Sequence, residues 1–265
     1  MSEDSYQTIQ TLLRSSQPDD LHRGLEMVRQ EISRVGSSEA RPLFEMVSAI
    51  FHIDPLDRPD LMPILDEAVS LVVGFGDWVI PVLIEELDAG DVKAQLAIGN
   101  ALGRIGADAV EPLVEAYRAS EDPVRRTFIL YALGKIESPQ VIRAAPLALE
   151  AARSSDLELR DTATRAIGRF AASIPRAQLP DDLRDAYVEV LRANLADPNP
   201  GIRAKAVRSL GKLVQHGHLD AQERARLKAT CELILGIDGS FRWDRAYIVR
   251  REAQEAIEYV EAAGR

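Results

Sequence analysis

Four pairs of side chains recur at matched positions along the chain: Asn100 and Arg104, Tyr131 and Lys135, Arg165 and Arg169, Arg208 and Lys212. The members of each pair are four residues apart, so on a helix they share one face. Most are cationic and none is acidic. Their chemistry is charge-assisted hydrogen bonding to carboxylates, with Tyr131 and Asn100 adding adaptable contacts. Catalytic chemistry is scarcer. The four histidines are His22, His52, His216 and His218, and His216-Gly217-His218 is their one close pair. A metal site needs three or four converging ligands, and no Cys, Asp or Glu stands at ligand spacing around that pair. It reads as a solvated polar turn, and neither metal nor cofactor is expected. Cys231, beside Leu233, Ile234 and Leu235, reads as a buried structural thiol. No glycine loop of the phosphate-cradling type is present.

The elements that must position the paired residues are visible as a repeated phrase. It runs Gln95…Ile98…Ala101-Leu102-Gly103, Arg126…Ile129…Ala132-Leu133-Gly134, Arg160…Ala163…Ala166-Ile167-Gly168 and Arg203…Ala206…Ser209-Leu210-Gly211. A degenerate fifth copy, Arg250…Ala253…Ala256-Ile257, has Glu258 in the glycine's place. The glycines are 31, 34 and 43 residues apart, periods that signal stacked helical repeats. Apolar positions three, six and seven residues after the leading Arg or Gln form a buried stripe. Positions five and nine, which carry the pairs, then point outward. Asp91, Asp122-Pro123, Asp156 and Asn199-Pro200 supply N-caps, two with a first-turn proline. The glycines are expected to let the neighbouring repeat approach closely.

Each of these helices is the second of an antiparallel pair. Its predecessor carries a proline, Pro81, Pro112 or Pro146, which either opens the helix or bends it. Long helices are expected from Pro180 to about Ala196 and from Leu219 to Leu235. The loop from Ile237 to Trp243 is unusually aromatic; Phe241 and Trp243 make a second contact point if exposed. If buried, they anchor the last helix, and that reading is preferred. Leu21, Leu25, Val28, Ile32 and Val35 share a helical face, Asp54 to Pro63 is a turn, and Asp66…Val69…Val72-Val73-Gly74 fits the register loosely, with an acid in the place of the leading base. Residues 1–60 are therefore expected to be divergent capping helices. Residues 61–265 are expected to form one continuous solenoid, giving an all-α right-handed α-α superhelix of six to seven helix pairs.

Composition narrows the function classes. Apolar residues make up 46% and charged residues 28%, as in a folded soluble chain. No run approaches a membrane span, Met1 to Gln10 lacks a signal-peptide layout, and a single cysteine excludes an intrachain disulfide. A cytoplasmic location is expected. The net charge of −10 argues against nucleic acid, yet its distribution is uneven. The second-helix segments sum to +5, leaving −15 on the rest.

Asp122-Pro123-Val124-Arg125-Arg126…Ala132-Leu133-Gly134-Lys135-Ile136 and Asp91-Val92…Ala101-Leu102-Gly103-Arg104-Ile105-Gly106 resemble HEAT repeats, in the subtype named for phycobilisome (bilin) lyases. The resemblance covers roughly residues 62–260. It implies that the second helices line a concave groove, so that the paired residues form two basic columns along it. It also implies an alternative for the cations: the early arginines Arg126, Arg160 and Arg203 would pair with acids of the adjoining repeat as a structural ladder. The expected function is a non-enzymatic scaffold or assembly adaptor holding an acidic segment of a partner protein in the groove. The family also contains lyase subunits and DNA-repair proteins. Two alternatives follow: a bilin lyase or its subunit, with Cys231 as the candidate thiol, and a duplex-cradling protein of the alkylation-repair type. The −15 remainder weighs against the latter.

Overall fold

The computed structural model describes residues 3–88, 90–240 and 242–264. Among them the regular structure is helical throughout, fourteen α-helices joined by short 3₁₀ turns, with no strand. No helix is long and apolar enough to cross a membrane. The chain divides into two compact units, Met1–Ala119 and Ser120–Arg265.

The first unit holds α1 (Glu3–Leu13), α2 (Pro18–Val35), α3 (Arg41–Ser48), α4 (Met62–Leu71), α5 (Val79–Glu86), α6 (Val92–Ile105) and α7 (Val110–Ala119). Helices α2, α4 and α6 pack in succession as one layer, while α1 lies against α3 and α5 against α7. Helices on both sides of residue 60 thus belong to one packed body. Phe44, Phe75 and Trp78 meet edge-on, with centroids 5.5, 5.6 and 6.1 Å apart, and the Arg41 guanidinium caps Trp78 at 4.6 Å. Each aromatic pair adds about 0.5–1.5 kcal/mol beyond its area burial.

The second unit holds α8 (Pro123–Leu133), α9 (Ala145–Ala151), α10 (Leu157–Ser173), α11 (Asp181–Asn194), α12 (Pro200–Gln215), α13 (Ala221–Leu235) and α14 (Tyr247–Ala262). Helices α8, α10, α12 and α14 stack one on the next, and α9 and α11 form the start of a parallel outer layer. The expected caps are in place. Asp91, Asp122, Asp156 and Asn199 each accept from a backbone N–H of the following turn. Pro81, Pro112 and Pro146 all fall in the first turn of their helices, so they open these helices and do not bend them.

The glycines of this unit do what a missing Cβ permits. A methyl group on Gly134 would sit 3.8 Å from the Ala166 Cα, and one on Gly211 would sit 3.6 Å from the Ala256 Cα. At Gly168 it would stand 2.8 Å from the Ser209 Cα, closer than side chains tolerate. Each glycine meets the residue two positions earlier in the next repeat, so the stacking register is the same at all three steps. The Ser209 hydroxyl donates to the Thr164 carbonyl at 2.9 Å, and Asn194 donates to the Ala152 carbonyl and the Thr164 hydroxyl. These bonds satisfy the side chains of Ser209 and Asn194 inside the stack.

An arginine ladder runs along one edge. Arg126, Arg160, Arg203 and Arg250 each donate to the carbonyl six residues earlier, at 2.6, 2.6, 2.9 and 2.6 Å. Arg160 also pairs with Asp197 at 2.9 Å, and Arg203 with Asp244 at 2.7 and 2.9 Å. The adjoining-repeat pairing expected of Arg160 and Arg203 is therefore present. The His216-Gly217-His218 turn differs from its expected solvation. His216 is exposed, but His218 is 1% exposed and bonds the Ala171 carbonyl through Nε2 at 2.7 Å. Its position between α12 and α13 gave no hint that the ring would fold back over α10.

Two outcomes follow from this packing. Gly168→Ala must push α10 and α12 apart, and it is expected to lower stability by about 1–3 kcal/mol in urea unfolding, against no more than about 1 for Gly134→Ala. Burial, opposed by the Ala171 bond and aided by the charges of His216, Arg176 and Arg184, holds the His218 pKa below 6.5. Below pH 6.5 the unfolded chain takes up a proton at this ring that the folded chain refuses, so the contribution of His218 to stability falls as pH drops from 7.5 to 5.5. His218→Asn is expected to shrink that drop, measured as the shift in urea midpoint between the two pH values.

Candidate functional site

Three consecutive second helices of the Ser120–Arg265 unit present their outward positions together. Tyr131 lies on α8 and Lys135 in the turn that ends it; Arg165 and Arg169 lie on α10, Arg208 and Lys212 on α12. The Lys135 ammonium stands over the Tyr131 ring, 5.0 Å from its centroid. Tyr131, Lys135, Arg165 and Arg169 line a shallow crevice with Leu130, Gly134, Thr162 and Ala166. Its free volume, ≈ 20 Å³, holds a single small polar group. Small-molecule pockets are typically about 300–1,000 Å³. The crevice is too small for an organic cofactor.

The electrostatics show how near these cations lie to one another. Lys135 is held below its ordinary pKa by burial and then by the charges of Arg169 and Arg165. Lys212 is lowered by burial and by Arg169, Arg208 and Arg165. Arg165 is lowered by burial, Arg169 and Arg208, while Tyr131 and Asp161 work the other way. All three side chains are half-buried, as is Arg169. Among the described residues no carboxylate lies within ion-pair distance of Lys135, Arg165, Arg169 or Lys212. Four cations thus share a partly desolvated wall with no carboxylate in ion-pair contact, Asp161 acting on Arg165 from farther off. Such a wall favours any anion that arrives.

Arg208 stands apart. Its Nε donates to Glu252 Oε2 at 2.7 Å and its Nη2 to Oε1 at 2.5 Å, a bidentate clasp. Glu252, on α14, is 1% exposed and also accepts from Arg251 at 2.7 Å. Burial works to raise its carboxyl, but the hydrogen bonds and charges of Arg208 and Arg251 bring it below the ordinary value. The same clasp raises Arg208. Arg208 is therefore occupied from within the fold, which corrects the expectation of an acid-free column. The acid that intrudes belongs to the degenerate fifth copy, two residues after its leading Arg250, where the fourth copy has Lys205. That substitution of acid for base was the available signal.

The remaining expected residues divide. Asn100 and Arg104 lie on α6 in the other unit. Arg104 donates to the Asp66 carbonyl at 2.7 Å and also engages the Asp66 carboxylate and the Ser70 hydroxyl. It is a structural tie within Met1–Ala119. Trp243 is 60% exposed, so it does not bury itself to anchor α14, as the preferred reading held. Phe241 lies outside the described residues. Cys231 is fully buried, and burial pushes its thiol up to about 12, so it is protonated and shielded. No group of three His, Cys, Asp or Glu side chains able to hold a metal is found among the described residues.

Comparison with known proteins agrees with this architecture. A family model of HEAT repeats matches residues 80–168. A search of curated proteins found no match. Among solved structures, the CpcE–CpcF complex of phycocyanin lyase from Nostoc sp. PCC7120 is 23% identical with a TM-score of 0.53. That alignment covers 68% of this chain and 98% of the other. Kap95p, solved with RanGDP, is 14% identical with a TM-score of 0.65, covering 97% of this chain and 36% of that one. A designed armadillo repeat protein in complex with the peptide (KR)4 is 17% identical with a TM-score of 0.50, covering 98% and 100%. At these identities the likeness is one of fold: an all-α repeat solenoid of the HEAT and armadillo kind.

Removing Arg208 leaves Glu252 with Arg251 alone in a buried setting. Arg208→Ala is expected to cost about 1.5–3 kcal/mol in urea unfolding, the range for a hydrogen bond to a charged group. A cost below about 0.5 kcal/mol would instead leave Arg208 available to a ligand.

Proposed function

We propose that this chain is a non-enzymatic protein-binding scaffold that holds an acidic segment of a partner along α8, α10 and α12. The observation that carries the reading is the set of four half-buried cations, Lys135, Arg165, Arg169 and Lys212, none of them ion-paired to a carboxylate among the described residues. Gathering like charges on a partly desolvated surface costs stability, and an anionic ligand adds an attraction to each cation that offsets their mutual repulsion. Arg208 and Glu252 supply an internal example of what this surface does with a carboxylate: it takes it bidentately. The crevice beside Tyr131 and Lys135 leaves room for a small group only, so a ligand would lie mainly along the surface.

The fold supports the same reading, since solenoids of this kind have been solved with RanGDP and with a peptide. In the designed armadillo complex the peptide is (KR)4, whereas here the wall itself is cationic, so the complementary segment is acidic. Nucleic acid is disfavoured by the acidic remainder of the chain, which would repel an extended polyanion beyond the patch. A reducing cytoplasmic setting fits the lone, buried Cys231.

The test is charge reversal at Arg165 and Arg169, which unlike Arg208 have no carboxylate partner to abandon. A fluorescein-labelled oligo-glutamate peptide is expected to bind the native chain with an affinity that falls as salt rises. The Arg165→Glu, Arg169→Glu double variant is expected to lose that binding while its thermal midpoint moves by no more than about 2 °C. A folded double variant that still binds sinks the proposal.

A further inference from the structure

If the wall holds an acidic segment, as proposed above, the crevice between α8 and α10 selects the anion which that segment presents. Three cations, Lys135, Arg165 and Arg169, line this one opening, and none is ion-paired among the described residues. Asp161, the acid that acts on Arg165, is itself paired with Lys205. A fourth donor stands among them. The chain has six threonines, and all six lie in helices. Thr8, Thr11, Thr127, Thr164 and Thr230 each donate to the carbonyl four residues earlier, at 2.8, 2.8, 2.8, 2.7 and 2.9 Å. That is the bond a helical threonine ordinarily makes. Thr162 lines the crevice, is half-buried, and makes no hydrogen bond through its hydroxyl among the described residues.

The donors therefore crowd around a space that admits one group. The free volume of ≈ 20 Å³ is little more than the about 10–15 Å³ that a water needs, so oxygen atoms of a ligand enter while its remainder stays at the mouth. Successive carboxylates of an acidic chain repel one another and spread along a surface, so two of them do not share such an opening. A single carboxylate brings one charge and two oxygens to three cations and a hydroxyl. A phosphoryl group brings a charge of about −1.5 to −2 and three strong acceptor oxygens on one phosphorus. It has acceptors enough for all four donors, and its charge comes nearer to theirs. Lys135 feels both arginines and Arg165 feels Arg169, so one anion placed among them offsets all three repulsions. The planar forks of Arg165 and Arg169 also suit bidentate contact with phosphate.

We infer that the crevice is a phosphoryl site: the segment held on this wall carries a phosphoserine or phosphothreonine, which seats against Lys135, Arg165, Arg169 and the Thr162 hydroxyl. Acidic residues flanking the modified one lie along the surface toward Lys212. Capture of the partner is then switched on by its phosphorylation.

The full chain is titrated with two fluorescein-labelled peptides of nearly equal charge at pH 7.5, hexaglutamate and Glu-Glu-Ser-Glu-Glu phosphorylated on its serine. The phosphopeptide is expected to bind at least about tenfold more tightly, a gap well beyond what matched charge gives. Thr162→Val is expected to weaken the phosphopeptide about tenfold and hexaglutamate less than about twofold, with an unchanged thermal midpoint. Arg169→Gln, a second variant, is expected to bring the two peptides within about threefold of each other. At pH 5.5 the advantage is expected to shrink about fourfold, because a phosphoryl group with a second pKa of about 6 is by then mostly a monoanion. His216, which the charge of Lys212 affects, acts on both peptides alike, so the ratio of affinities reports the phosphoryl group. A phosphopeptide that binds no more tightly than hexaglutamate overturns the phosphoryl site and leaves the acidic-segment reading standing. If neither peptide binds, both fail. An equal loss of both peptides in Thr162→Val, or an advantage that does not shrink at pH 5.5, also overturns the site. Inorganic phosphate that displaces the phosphopeptide at equal concentration overturns the segment as the source of the group. Tighter binding of an oligothymidylate of equal charge overturns the proposal in favour of nucleic acid.

Discussion

The near contact of backbone on backbone between successive second helices is the constraint on which the rest of the Ser120–Arg265 unit hangs. Gly134, Gly168 and Gly211 each leave out a side chain where the next helix presents Ala166, Ser209 or Ala256. That omission fixes register as well as distance. Once the register is fixed, positions five and nine of each repeat must align, and whatever charge they carry is concentrated. Dispersion across a well-packed seam is individually weak and collectively large. It is what holds Lys135, Arg165, Arg169 and Lys212 together against their own repulsion.

The fold eases that repulsion without cancelling it. Lys135 sits in the turn that closes α8 and Lys212 in the last turn of α12, where unpaired carbonyls carry partial negative charge. The Tyr131 ring offers its π face to Lys135. On the other edge of the same helices, Arg160 and Arg203 are neutralised by Asp197 and Asp244. One edge of the stack therefore spends its carboxylates on cohesion, while the other is left cationic. Lys205, at another position of α12, is paired with Asp161, and Arg208 of the outward columns with Glu252, so among the cations of α10 and α12 it is Arg165, Arg169 and Lys212 that lack an ion pair among the described residues.

Much of this was legible in the sequence because it is written in local chemistry. Asp91, Asp122, Asp156 and Asn199 cap their helices as their residue types require, and Pro81, Pro112 and Pro146 stand where a missing N–H does no harm. The small residues of the repeat pack as their period implied. What the sequence concealed depends on residues distant along the chain. Glu252 reaches Arg208 across 44 positions, and His218 reaches Ala171 across 47. Neither pairing follows from composition or period. An aromatic residue in a loop usually finds a core, and Trp243 does not. Here the loop is closed by the Asp244 amide donating to the Ile234 carbonyl at 2.9 Å, and the ring is left outside. Arg104 shows a different limit, since its register position matched the others while Asp66 and Ser70 lay within reach.

The ladder on the cohesive edge also ties hairpins to those that follow them. Arg160 finds its carbonyl partner at Ser154, already synthesised, but its carboxylate partner Asp197 is 37 residues ahead; Arg203 waits 41 residues for Asp244. Each of these two guanidiniums is therefore completed by the hairpin that follows its own, so loss of a later hairpin would leave the one before it with an unpaired arginine.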